Sequence, residues 1–188
     1  FHIDIASIHE LWLFCGTDAG KVKKHMKEYC ELMRQYADTV FGAVFEGMPV
    51  MCLSTPHSLR ETEKVMMGMI ADMRAVWPDA VIVRCCGLNN TTDCRRAYLT
   101  VLDALEDVRN IFPDRCLVLQ GELEFAAECR KMIDGGEDAA MRSLAPLTAL
   151  QSDSESRDLL ETVCTYLLDC DGSVTKTAGK LFLHRNTI

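Results

Sequence analysis

The sequence predicts an α+β fold: a ferredoxin-like βαββαβ core with extra α and β elements, followed by a small all-α helix–turn–helix unit. Three observations carry this. Short apolar runs that end at Gly or Pro alternate with longer stretches whose apolar residues recur at steps of three and four. Through Cys86 the two kinds follow one another as strand, helix, strand, strand, helix, strand, the order of a split βαβ unit with its sheet on one side and its helices on the other. The end of the chain, from Gly172 to Ile188, has a cap, small residues and polar residues where two crossing helices need them.

Ile8–Cys15 is aromatic and apolar and stops at Gly16, so it reads as a strand. Thr17 or Asp18 then caps a helix in which Val22, Met26, Tyr29, Met33 and Tyr36 form one face, while Lys21, Lys23, Lys24 and Lys27 stay in water. Two strands follow, Thr39–Phe45 and Val50–Leu53, joined by Glu46-Gly47-Met48-Pro49. Ser58 and Glu61 form a capping box for a helix with Leu59, Thr62, Val65 or Met66, Met69 or Ile70, Met73 and Val76 or Trp77 on its apolar stripe, ended by Pro78. Its methionines read as gap-filling core.

Ala80–Cys86 is apolar on both faces and therefore central in its sheet. Asn89-Asn90-Thr91-Thr92 turns and caps a helix carrying Cys94, Tyr98, Val101, Leu105, Val108 and Phe112, closed by Pro113. A fifth strand at Arg115–Leu119, a weaker helix at Leu123–Ile133 and a helical stretch at Glu137–Leu150 interrupted by Pro146 come next. Gln151–Ser156 is polar and unperiodic and reads as a linker. This gives two domains, 1–150 and 151–188, the second opening on a helix with Leu159, Leu160, Val163, Leu167 and Leu168.

Ser173 caps the next short helix, whose buried face would be Val174, Ala178 and Leu181, with Ala178 and Gly179 small enough for a second helix to cross close by. His184-Arg185-Asn186-Thr187 then opens a further helix with polar residues on its first turn. Arg forks onto guanine O6 and N7, Asn onto adenine, and Thr reaches phosphate, so these are residues that read a major groove. His184 either caps this helix or touches a base.

Ser173-Val174, Thr177-Ala178, Leu181, Leu183 and the unbroken His184–Ile188 resemble the C-terminal helix–turn–helix of bacterial regulators of the PucR/CdaR family, a Fis-like variant. The family continues with a basic segment beyond the position of Ile188, and Phe1 is not a start methionine, so sequence is expected beyond both ends. The resemblance implies a sequence-specific transcriptional regulator with a double-stranded operator as partner, contacted by Ser173, Thr175, Lys176, His184, Arg185, Asn186 and Thr187. It further implies an upstream sensor domain and, over roughly residues 8–120, a GGDEF-like domain related to the palm of diguanylate cyclases. A homodimer is expected because two recognition helices bind paired half-sites about one turn apart, and a small-molecule effector is a further candidate partner.

A working cyclase palm holds two metal ions with carboxylates from its first strand and from the Gly-Gly-Asp-Glu-Phe hairpin. The matching hairpin here is Glu46-Gly47-Met48-Pro49, and the first strand offers Leu11-Trp12-Leu13-Phe14-Cys15 without an acid. No cyclase activity, metal or cofactor is therefore expected, and no catalytic residue is assigned. The alternative is that the domain senses a nucleotide, purine or sugar acid, or serves to dimerise.

Composition fits this reading. With 188 residues and 48% hydrophobic content the chain can bury a sizeable core. No apolar run approaches the ~20 residues that span a bilayer, and a soluble cytoplasmic protein without a membrane partner is expected. The net charge of −8 is unevenly spread. Residues 172–188 hold Lys176, Lys180 and Arg185 and no acid, which leaves −11 on residues 1–171. An acidic body with a basic tip suits a protein that touches DNA at one end. The ten cysteines show no Cys-x-x-Cys and no His at zinc spacing, and are expected as free buried thiols, with Cys85 and Cys86 on opposite faces. The five histidines are scattered; His57, just before a helix, is expected at the surface or in a cap.

Overall fold

The computed structural model describes residues 5–148, 154–170 and 172–188, and the chain divides into two units, Phe1–Arg130 and Lys131–Ile188. In the first, after a 3-10 turn at Ile5–Ser7, the elements are β1 (Glu10–Cys15), α1 (Ala19–Met33), β2 (Val40–Phe45), β3 (Met48–Leu53), α2 (Leu59–Arg74), β4 (Val81–Cys86), α3 (Thr91–Ile111), β5 (Leu117–Leu119) and α4 (Gln120–Asp134). The sheet runs β2-β3-β1-β4-β5. β3 lies between β1 and β2 and is antiparallel to both, and β4 is antiparallel to β1. That is the strand order a split βαββαβ unit requires. β5 adds a parallel edge beside β4.

Side-chain oxygens hold the helix starts where the sequence places them. Asp18, not Thr17, accepts from the N–H groups of Gly20 and Lys21. Ser58 accepts from Glu61 N–H, and Asn90 from Asp93 N–H. Each satisfies an N–H that has no partner within its own helix.

Both helices of the βαββαβ unit, α1 and α2, lie on one side of the sheet, and the helices that follow it, α3 and α4, cover the other. Residues alternate between faces along a strand, so Trp12, Phe14, Met51, Leu53 and Ile82 pack with α1 and α2, joined by Val22, Met26, Met33, Met66, Met69 and Met73. Leu11, Leu13, Cys15, Val83 and Cys85 pack on the other side with Val101 and Val108 of α3 and Leu123 of α4. All six positions of β1 are buried, as are five of six in β4. Strands apolar on both sides demand two covering layers, and α3 supplies the second.

The connection between β2 and β3 is also shorter than the sequence implied. Glu46 (φ +48°) and Gly47 (φ +82°) alone make the turn, the two left-handed residues of a type I′ hairpin. Met48 and Pro49 already belong to β3, and Pro49, which has no N–H, sits where the β1–β3 ladder ends at Leu13–Val50.

The thiols follow their burial. Cys85 is buried and Cys86 exposed, the two faces of one strand. Loss of hydration pushes the thiols of Cys15, Cys52 and Cys85 up to about 12. At about pH 8 only about one part in 10⁴ of such a group is thiolate, the reactive form. Iodoacetamide followed by peptide mass mapping should therefore leave these three unmodified in the native protein and alkylate them after denaturation. Labelling of Cys85 at the rate of a free thiol would contradict its burial.

Candidate nucleic-acid interface

The second unit contains α5 (Glu137–Thr148), α6 (Ser154–Cys164), a wide π-type turn at Thr165–Asp169 and α7 (Val174–Leu181). α5 continues through Pro146 to Thr148, so the expected interruption does not occur; Ala149 and Leu150 lie outside the described residues. Of the expected linker, residues 151–153 lie outside the described set and Ser154 already starts α6. The π-type turn closes with Cys170 N–H on Thr165 C=O at 3.0 Å, a span of five residues.

α7 is built from its cap inward. Ser173, in extended conformation, accepts from Lys176 N–H at 3.4 Å. Thr177 Oγ1 donates to Ser173 C=O at 2.9 Å, which satisfies the hydroxyl and lets Thr177 be fully buried beside Ala178. The buried face is thus Thr177 and Ala178. Val174, expected on it, is exposed, and Leu181 is half-buried. Gly179 has open space where a Cβ would stand, so among the described residues no second helix crosses it.

The helix ends in a left-handed residue, Phe182 (φ +55°), with Leu183 N–H returning to Ala178 C=O at 2.9 Å. This is the Schellman closure, with Phe where Gly is usual. Sequence alone does not reveal it, because the signal for such an end is a glycine. Phe182 is 95% exposed, so its ring gains nothing from packing to offset a left-handed backbone worth about 1 kcal/mol against it.

Beyond it, residues 184–187 form one hydrogen-bonded turn in place of the expected helix: Thr187 N–H donates to His184 C=O at 2.8 Å. His184 Nδ1 accepts from Asn186 N–H at 3.3 Å. Ring nitrogen and carbonyl together make His184 a cap for this turn. Arg185, Asn186 and Thr187 are exposed, as are Thr175 and Lys176, while Ser173 is half-buried and Ile188 partly so. Lys180 belongs elsewhere. Its Nζ lies 2.9 Å from Asp169 Oδ2, and this hydrogen bond raises its pKa, so one of the three cations counted at the tip ties α7 to the preceding turn.

In the first unit, Glu46 is exposed in the hairpin turn. β1 does carry an acid, contrary to the sequence reading: it begins at Glu10. Register pairs Glu10 with Leu53 and Leu13 with Val50, so the hairpin turn lies toward the Cys15 end. Glu10 stands at the opposite end of the strand, at ~3.3 Å per residue. Its carboxylate is also occupied. Arg84 donates to it twice, Nη2 to Oε1 at 2.6 Å and Nε to Oε2 at 2.9 Å, and Trp12 Nε1 donates to Oε2 at 2.9 Å. Local sequence could not show this, because Arg84 is 74 residues away. His57 lies at the surface with Nε2 3.0 Å from Asp38 Oδ1. Among the described residues no group of three or more His, Cys, Asp or Glu side chains could hold a metal ion, and no helix is long and apolar enough to cross a membrane.

Residues 159–188 match the PucR C-terminal helix-turn-helix domain family. The matched stretch takes in the end of α6, the π-type turn, α7 and the turn capped by His184. It supports a DNA-binding helix–turn–helix of the PucR type in this stretch. No curated protein matches the chain.

Proposed function

We propose that this chain is part of a sequence-specific, cytoplasmic transcriptional regulator of the PucR/CdaR type. Residues 151–188 belong to its helix–turn–helix, and residues 1–150 are a GGDEF-like domain without cyclase chemistry. The observation that carries the reading is the match over 159–188, in a stretch where a Ser-capped helix leads through a tight turn to exposed Arg185, Asn186 and Thr187. Arg185 reads guanine in the major groove, Asn186 meets a base or phosphate, and Ser173, Thr175, Lys176 and Thr187 set the backbone register. His184, whose ring nitrogen is taken by Asn186 N–H, shapes the turn that presents them. Two such units in a homodimer would reach half-sites about one helical turn apart.

The test is selection of duplexes from a random-sequence library by the full-length protein, followed by affinity measurements on the selected operator. Arg185→Ala should weaken specific binding by about 1–3 kcal/mol and relax preference at one base pair, whereas Lys176→Ala should weaken all sequences alike and lower the salt slope by about one. An Arg185→Ala protein with unchanged affinity and preference would end the assignment.

A second reading, in which the first unit binds a small-molecule effector, rests on an open cleft of ≈ 510 Å³ between the β2–β3 hairpin and α3. Phe45 and Tyr98 meet edge to face there with ring centroids 5.1 Å apart, and Arg95 and Glu46 stand at its rim. An apolar floor with a few polar groups suits a planar ligand. Thermal-shift measurements with nucleotides, purines and sugar acids should show stabilisation by one class that Tyr98→Ala removes. Absence of a shift with all three would leave the cleft a structural feature.

A further inference from the structure

β2 is an edge of the sheet, and it is unusual in carrying no device against pairing: Val40-Phe-Gly-Ala-Val-Phe45 has no charge and no proline, and its last four residues are exposed. Beside it, between β2 and α1, runs a groove of ≈ 600 Å³. Gly42 lets the strand approach α1 closely, since a Cβ there would stand 2.8 Å from Cys30 Sγ. The groove is lined by Lys23, Lys27 and Arg34 against one acid, Glu31. These three cations are exposed and form no ion pair among the described residues. They make a local positive excess on a part of the chain whose formal charge is strongly negative.

We propose that the β2 edge and this groove take up an extended acidic segment of a partner protein, added to the sheet as a further strand. The geometry specifies its pattern. Val44 pairs with Pro49, which has no N–H, so this is a pair that exchanges no ladder hydrogen bonds and the polar groups of Val44 point outward. An added strand would bond there, and alternate side chains would fall on the two faces of the sheet. Those on the α1 side meet Lys23, Lys27 and Arg34 and should be Asp or Glu. Those on the other side continue the exposed row of Ala43 and Phe45 and should be apolar. A second copy of this chain is a poorer occupant, because its β2 brings no acid and its own groove brings three more cations. All the residues involved belong to the first unit, so the proposal does not rest on the DNA-binding reading of the second.

The test uses the 188-residue chain and a capped peptide of alternating Glu and Val, about eight residues long, with its Lys–Val counterpart as control, in titrations at low and high salt. The acidic peptide should bind more tightly than about 1 mM, more weakly as salt rises, and the basic one should not bind. Lys23→Glu with Lys27→Glu should weaken binding at least about tenfold, and Val44→Pro, which removes an outward N–H, should abolish it while tryptophan fluorescence shows the sheet intact. If Val44→Pro fails to fold, the lysine pair still decides. Equal binding of both peptides, no binding of either, indifference to the lysine changes, or self-association through β2 that the acidic peptide does not disrupt would each overturn the proposal.

Discussion

Glu10→Ala is expected to destabilise the first unit by about 3–5 kcal/mol. Glu10 and Arg84 are 4% and 5% exposed, and the carboxylate is the acceptor for both guanidinium bonds and for the Trp12 indole. Its removal strands a buried cation and a buried N–H together. Both tryptophans, Trp12 and Trp77, lie in this unit, so urea unfolding followed by their fluorescence reads it without interference from the second. Glu10→Leu combined with Arg84→Met should recover most of the loss, because two packed apolar side chains need no partner. A single Glu10→Ala cost below about 1 kcal/mol would mean that water reaches the pair.

Gly16→Ala should cost about 3 kcal/mol, from two sources that a companion substitution separates. Gly16 has φ +72° and an added Cβ would lie 2.5 Å from Asp79 C=O, the oxygen that Arg109 Nη2 bonds at 3.1 Å. A carbonyl in the backbone cannot step aside as a side-chain tip can. Gly47 has φ +82° and nothing within 4 Å, so Gly47→Ala carries the backbone penalty alone, about 1 kcal/mol. Equal losses at the two sites, measured by the same urea titration, would show that the approach of β1's end to Asp79 is not tight.

These two sites also show where sequence reading works and where it stops. Caps were legible, Ser58 and Ser173 as single residues and Asp18 and Asn90 as one choice within a short polar stretch before a periodic run, and each accepts the bonds its position requires. So was the chain order of the five strands, because apolar runs bounded by Gly or Pro depend on neighbours in sequence. The Glu10–Arg84 pair was not legible, since polar residues flanking an apolar run look like strand ends whether or not they meet across 74 residues. The second helical layer was half visible in the two-sided apolar character of Ala80–Cys86, but nothing local says which helix covers which face. In the second unit, Ser173 was readable as a cap. The left-handed Phe182 and the π-type turn were not, because each departs from the residue that usually marks its geometry.

The placement of β1 has a bearing on synthesis. Made earliest of the five strands, it lies in the middle of the sheet, flanked by β3 on one side and β4 on the other. Its Trp-Leu-Phe run therefore leaves the ribosome with one edge unpaired until Val81–Cys86 has also emerged, although β3 reaches its other edge sooner. Contacts this distant in sequence form slowly, and an uncovered apolar strand is what holding chaperones bind. The nascent chain should thus depend on them until its fourth strand arrives.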